Sequence, residues 1–292
     1  MGVTIYSLLL HNAMASDFRI FVVDNNISTN NIVKLQQIIS GFPNAEMILI
    51  PFKKWADSLH LNMSWPISLS SYARLFVGEM LPSDIDRVLY MDSDMLVLDD
   101  ISELMSADLG DNILGAVQDQ VSRKSKVTVG LHSSDNYFNA GLLLIDLRKW
   151  REFGIGKKCL KFIEDHDGQV IHHDQGVLNG LLFNQWLRLP LKYNVMTVHY
   201  IHSYMKLKNY FHDSSSFYDV SEVERAKSNP VILHYTPSFT SHPWEHNCKH
   251  PLRYLYEVVQ NMTPWAGTPL EKEKTPWYVK LVNFYYRNFL LF

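Results

Sequence analysis

The chain of 292 residues has only two cysteines, Cys159 and Cys248, far apart and outside any CxxC or Cys/His spacing. A disulfide framework and a thiolate zinc site are therefore not expected, and a reducing cytoplasm suits such a chain. Charge of one sign is also lacking. The 27 basic and 30 acidic residues leave a net charge of −3, too weak a field to hold a polyanion, so nucleic acid is not an expected partner. No apolar run approaches the roughly 20 residues that cross a bilayer. The opening MGVTIYSLLLHN has no basic flank before its apolar stretch and no small-residue cleavage pattern after it, so it does not read as a signal peptide. Internal repeats and low-complexity segments are missing too. What remains is 47% apolar, enough in a chain of this length for one large core or one core with a small appendage.

Apolar periodicity predicts an α/β protein with a mostly parallel sheet. Gly2 to Leu10 carries helical spacing, and RIFVV (Arg19 to Val23) reads as a buried strand ending in a turn at Asp24 and Asn25. Asn31 to Ser40 again reads as helix and Glu46 to Ile50 as strand. Further on, Ser68 to Met80 suggests a helix, Arg87 to Met91 a core strand, Leu114 to Val117 and Gly141 to Asp146 two more strands, and Asp174 to Leu182 a helix. From about Leu189 the pattern weakens, and Lys206 to Lys227 reads as an irregular excursion. Pro230 to Tyr235 restores one strand.

Asp92 and Asp94 stand directly after the strand RVLYM. Ligand sites of open α/β sheets lie just beyond the carboxyl ends of strands, and residues two apart in extended chain face the same side. Two carboxylates so placed repel unless a cation lies between them, and oxygen ligands suit Mg2+ or Mn2+. The competing reading is an Asx-type turn. A phosphatase-like DxDxT pattern is disfavoured, because Leu96 stands where the hydroxyl belongs. His234 follows VIL at another strand end and could complete a metal site, although one histidine of 13 is by itself a weak signal. Asp174, in HDQG, could be a helix N-cap, and Asn139, in YFNAG, a turn residue before a strand.

Six stretches, ISLSSYARL, RVLYMDSDMLV, DLGDNILGAVQD, YFNAGLLLIDLRKW, HDQGVLNG and LHYTPSFTSHPW, occur in one order over roughly residues 67 to 248. Together they resemble the bacterial members of glycosyltransferase family 8, the retaining galactosyl- and glucosyltransferases of lipopolysaccharide and capsule assembly. The resemblance implies a GT-A nucleotide-sugar-binding fold with a mostly parallel central sheet, taken over 1–250; residues 251–292 read, from their own composition, as an aromatic and basic helical tail. It also implies a UDP-hexose donor and Mn2+ (or Mg2+), with Asp92, Asp94 and His234 as the metal ligands. Arg74 corresponds to the family arginine that contacts the donor. Asp119 and Asn139 line the sugar site, Asp174 accepts from a sugar hydroxyl, and Gln175 lies beside the anomeric carbon. Where the family has HYxGxxKPW this chain has HYTPSFTSHPW, two residues longer, with Pro237 near the usual glycine and His242 in place of a phosphate-binding lysine.

The tail WYVKLVNFYYRNFLLF (Trp277 to Phe292) places Lys280, Asn283 and Arg287 on one narrow polar stripe of a helix, as in an anchor at an anionic membrane surface beside a glycan or lipid-linked acceptor. The competing reading is that this helix packs onto the catalytic domain; with the anchor, the expected location is cytoplasmic and peripheral on the inner membrane face. Members of the family have a short strand and an Asp/Asn-containing turn before the helix matched by GVTIYSLLLHN. Their absence here leads us to expect about 20 in-frame codons upstream of Met1 that encode a β-rich run. Water as the acceptor, or a non-catalytic nucleotide-sugar-binding protein, are the alternatives the sequence leaves open.

Overall fold

The computed structural model describes residues 1–15, 17–59, 69–211, 216–237 and 239–272, with Leu281 and Phe284. The apolar runs become strands Phe18–Asp24 (β1), Ala45–Pro51 (β2), Arg87–Met91 (β3), Met95–Val97 (β4), Leu114–Asp119 (β5), Tyr137–Asp146 (β6), Trp186–Arg188 (β7), Val195–Met196 (β8) and Ile232–His234 (β9). The main helices are Gly2–His11 (α1), Thr29–Ser40 (α2), Ile155–Asp165 (α3), His173–Leu182 (α4), Tyr204–Phe211 (α5), Val220–Ser228 (α6) and Arg253–Gln260 (α7).

The central sheet has the order β3-β6-β5-β7; a smaller sheet is β4-β9-β8, and β1 and β2 form a parallel pair. Strands β3, β5 and β7 point the same way, and β6 runs against them. All ten residues of β6 are buried, which is why YFNAGLLLID is apolar without alternation: both of its faces are covered. Because β6 is antiparallel, its amino-terminal half lies beside the carboxyl ends of β3 and β5. That arrangement collects the candidate residues at one end of the sheet. Among the described residues no ladder joins β1 to β3.

Two expectations change. The segment predicted as one helix from Ser68 to Met80 winds as a 3-10 helix over Leu69–Phe76 and one α-turn over Val77–Met80. Tyr72 to Phe76 are all buried, so the segment has no water-facing side of the kind an amphipathic surface helix presents. The stretch from Lys206 to Lys227 contains most of α5 and most of α6. Asp219 caps α6 by accepting from the Glu222 amide, and its one apolar turn, Val223 and Ala226, is buried. So short an apolar face leaves little periodicity to read.

The tail expectation falls on residues 277–292, which lie outside the described residues except for the exposed Leu281 and Phe284. Ahead of them, Tyr256 and Val259 of α7 share a core with Val3 and Leu233, while Tyr254, Val258 and Met262 are exposed. No helix among the described residues is long and apolar enough to cross a membrane.

His199 and His250 are buried in the outer layer. Neither ring nitrogen of His199 has a hydrogen-bond partner among the described residues. Burial, with the Lys227 charge adding, pushes its pKa down to about 4, and burial pushes His250 to about 4 as well. A histidine whose folded pKa lies below its unfolded value of about 6.5 supports the fold above that pH and withdraws support as the pH falls toward 4. Stability should therefore drop between pH 6.5 and 4, with His199 alone contributing up to about 3 kcal/mol. Urea unfolding of His199→Phe should show a smaller loss from pH 7 to pH 5 than the unaltered chain; an equal loss would refute this account.

Candidate active site

Strand β3 ends where the Asp92 amide donates to the Gly141 carbonyl at 2.8 Å. The chain then turns through Ser93, whose carbonyl accepts from Thr4 Oγ1 of α1 at 2.9 Å. It re-enters extended structure after Asp94, whose carbonyl accepts from the Tyr235 amide at 3.0 Å. The turn is pinned from both sides, and both carboxylates project from it toward His234, the last residue of β9. His234 Nε2 lies 3.2 Å from Asp94 Oδ1 and 4.0 Å from Asp92 Oδ2. The ligand atoms of Asp92, Asp94 and His234 all lie within 4.8 Å of one another.

Space for this cluster comes from Gly141 in β6. A Cβ there would sit 2.3 Å from His234 Cε1 and 2.9 Å from Asp92 Oδ2. Glycine in a strand interior weakens the strand unless something must approach closely, and here something does.

Arg74, carried by the 3-10 segment, reaches under the sheet and is only 5% exposed. Its Nη2 meets Asp92 Oδ1 at 2.7 Å, its Nε meets Asp174 Oδ2 at 2.8 Å, and its Nη1 donates to the Ala140 carbonyl. The guanidinium also lies over the Tyr90 ring at 4.6 Å, and the Tyr90 hydroxyl donates to Asp92. Asp174 is thus an ion-pair partner and not the helix cap: the cap position is His172, and Asp174 sits in the first turn of α4.

Asp119, Asn139 and Gln175 form a second cluster. Asn139 Nδ2 and Gln175 Nε2 both donate to Asp119 Oδ2, at 3.2 and 3.1 Å, and Gln175 Oε1 accepts from the Ala140 amide at 3.0 Å. Asn139 lies within β6 and not in a turn before it. His242 stacks flat on Trp244, with ring centroids 4.5 Å apart. Its backbone amide donates to Glu245 at 3.0 Å, and its Nε2 is 3.6 Å from Asp94 Oδ2. All nine candidate residues therefore fall in one connected region.

Burial raises the Asp92 pKa, and the neighbouring Asp94 charge adds to this against the pull of Arg74 and His234. Burial acts on Asp94 too, but His234, helped by His242, outweighs it and holds Asp94 well below the usual carboxylate range. His234 is raised in turn: burial opposes its charge, and the two carboxylates win. Asp174 is pushed up to about 6 by burial despite Arg74. With His234 neutral, as a metal ligand must be, the three carboxylates Asp92, Asp94 and Asp174 against one guanidinium leave two negative charges, which a divalent cation would neutralise; the oxygen and imidazole donors suit one.

The sequence model of Glycosyl transferase family 8 matches residues 1–248. The chain belongs to that family. General stress protein A of Bacillus subtilis (strain 168) is 29% identical over 276 residues, covering 92% of this chain and 92% of that protein. The lipopolysaccharide 1,2-glucosyltransferase of Escherichia coli (strain K12) is 28% identical over 271 residues, covering 91% and 75%. The galactosyltransferase LgtC, solved with donor and acceptor sugar analogues, superposes with a TM-score of 0.71 at 27% identity, covering 96% of this chain and 94% of that one. This family 8 chain is accordingly a glycosyltransferase of GT-A fold.

Sequence reasoning missed Gly141, Tyr90 and Asn194 in this family 8 site. Gly141 carried a signal, an isolated glycine inside an apolar strand. Asn194 is one polar residue in the apolar stretch YNVM, buried with no exposed surface; Tyr90 carried none.

Replacing Arg74 with methionine leaves the buried Asp174 and the half-buried Asp92 without their cation. Arg74→Met should lose about 3–5 kcal/mol at pH 7.5. The gap should narrow toward pH 5, because carboxyls already raised by burial take up protons once the guanidinium is gone. Urea titrations at the two pH values check both, and a variant as stable as the unaltered chain at pH 7.5 would sink the argument.

Proposed function

We propose that the chain is a retaining hexosyltransferase. It moves galactose or glucose from a UDP-sugar to a glycan or lipid-linked saccharide, with Mn2+ or Mg2+ held by Asp92, Asp94 and His234. The observation that carries this reading is the convergence of the three ligand atoms within 4.8 Å beside the Asp119, Asn139 and Gln175 cluster. A cation held there supplies positive charge to the diphosphate as the sugar–phosphate bond breaks.

The order of contacts supports an orientation for the donor. Contacts run from Asp174 through Arg74 to Asp92 and from Asp94 through His242 to Trp244, and ligand atoms of the two aspartates lie within 4.8 Å of each other. Trp244 and Ser93 also line a cavity of about 480 Å³ with Asn26, Ser28 and Trp265. Aromatic faces with amide and hydroxyl groups suit a nucleoside. The hexose then lies toward Asp119, Asn139 and Asp174, which accept from or donate to its hydroxyls, and His242 can donate to a phosphate oxygen.

Gln175 is a poor nucleophile, and its side-chain oxygen is already engaged by the Ala140 amide and Asn139. This supports attack by the acceptor hydroxyl from the face the phosphate leaves. The bond from C1 to the phosphate oxygen breaks, the bond from C1 to the acceptor oxygen forms, and the departing phosphate oxygen takes the proton. The lipopolysaccharide glucosyltransferase among the relatives supports a lipopolysaccharide-type acceptor, reached at the cytoplasmic membrane face through the aromatic and basic tail.

Asp92→Asn and Asp94→Asn should each lower turnover on the order of 100-fold without loss of fold, measured with Mn2+ across a panel of sugar nucleotides. Full activity in excess chelator would sink the metal-centred reading, and an inverted anomer in the NMR spectrum of the product would sink same-face transfer. Removal of residues 277–292 should release the protein from anionic vesicles while a soluble acceptor is still glycosylated. A truncated protein that still sediments with the vesicles argues against the anchor.

A further inference from the structure

The orientation of every amide between the two clusters follows from one backbone donor. The Gly141 N–H can only donate, and it points at Asn139 Oδ1 at 3.0 Å. Asn139 therefore presents its oxygen to Gly141 and its amino group to the Asp119 carboxylate, itself an acceptor at 3.2 Å. Two fixed groups, one at each end, agree on the same orientation.

Asn194 is the next link. It is buried with no exposed surface, and one end of its side chain lies 2.9 Å from Asn139 Oδ1. Two carbonyl oxygens cannot share that contact, so the amino group of Asn194 faces Asn139 and its oxygen faces the other way. That oxygen meets His234 Nδ1 at 2.9 Å. Nδ1 must then carry a proton, and Nε2, which faces Asp94 and Asp92, is the nitrogen that gives up its own when a cation binds.

We infer that Asn194 is a positioning residue that fixes the tautomer and ring orientation of His234, so that Nε2 is presented to a divalent cation. A ligating histidine depends on the acceptor behind its other nitrogen for both properties. Here the acceptor is an amide whose own polarity is set by the sugar-side cluster, so the two halves of the site are wired through one side chain. This inference rests on the metal reading above.

Mn2+ uptake is measured by electron paramagnetic resonance without any sugar nucleotide, on the unaltered chain, Asn194→Leu and Asn194→Asp, with circular dichroism to check the fold. Asn194→Leu removes the acceptor and should weaken Mn2+ binding about 10–100-fold. Asn194→Asp keeps an acceptor for Nδ1–H but sets a second acceptor against Asn139 Oδ1, so it should recover part of the affinity that Asn194→Leu loses. A folded Asn194→Leu that binds Mn2+ as tightly as the unaltered chain overturns the assignment, as does an Asn194→Asp no better than Asn194→Leu. Should the leucine variant not fold, isotope-edited histidine NMR of the unaltered, Mg2+-loaded protein reads the tautomer directly. A proton on Nδ1 supports the assignment, and one on Nε2 overturns it. An unaltered chain that takes up no Mn2+ removes the metal reading and this assignment with it, whereas the other adverse outcomes sink the assignment alone.

Discussion

Carboxylates can be crowded at one end of a sheet only if positive charge is crowded there with them, and Arg74 meets this constraint. Its guanidinium joins the turn after β3, the first turn of α4 and the backbone of β6 in one set of contacts. Remove it, and the half-buried Asp92 and buried Asp174 face each other and Asp94 with only His234 to offset them. The guanidinium offsets one charge and leaves two. The site is held together and still electrostatically hungry, which is the condition for taking up a divalent cation reversibly.

The elements that position this site were legible where burial acts on both faces of a strand. YFNAGLLLID is apolar save for Asn139 and Asp146 because both faces of β6 are covered, and DxD was informative because it follows the apolar run VLYM of the half-buried β3. The direction of β6 was not legible, since a doubly covered strand has the same composition whichever way it runs. Yet its direction decides which residues come together: only in antiparallel register does Met91 face Leu142 and bring Gly141 beside Asp92.

Residues that act through distant partners were hidden for the same reason. Asp174 is equally good as a cap or as an ion-pair partner until a guanidinium 100 positions earlier arrives at 2.8 Å. Asn194 gains its role from the pairing of β8 with β9, which sets Val195 beside Leu233. His242 sits in a loop two residues longer than the family pattern, so alignment alone leaves its place open. The structure sets it against Trp244 and within reach of Asp94. The shape of β-branched runs is a local property, whereas the chemistry of a site depends on register.

The pairing of β4 with β9 also has a kinetic side. Met95 and His234 are cross-strand partners, yet about 140 residues of chain separate them, and ribosomes add roughly 5–20 residues per second. The aspartates are therefore synthesised roughly 5–28 seconds before Asn194 and His234 exist. During that interval β3, β5 and β6 have all been made and can close their ladders, while Asp92 and Asp94 stay hydrated at an open sheet end. Assembly of the Asp92, Asp94 and His234 cluster is thus a late, long-range step of folding, and a nascent or C-terminally shortened chain holds a loose pair of carboxylates instead of the closed cluster.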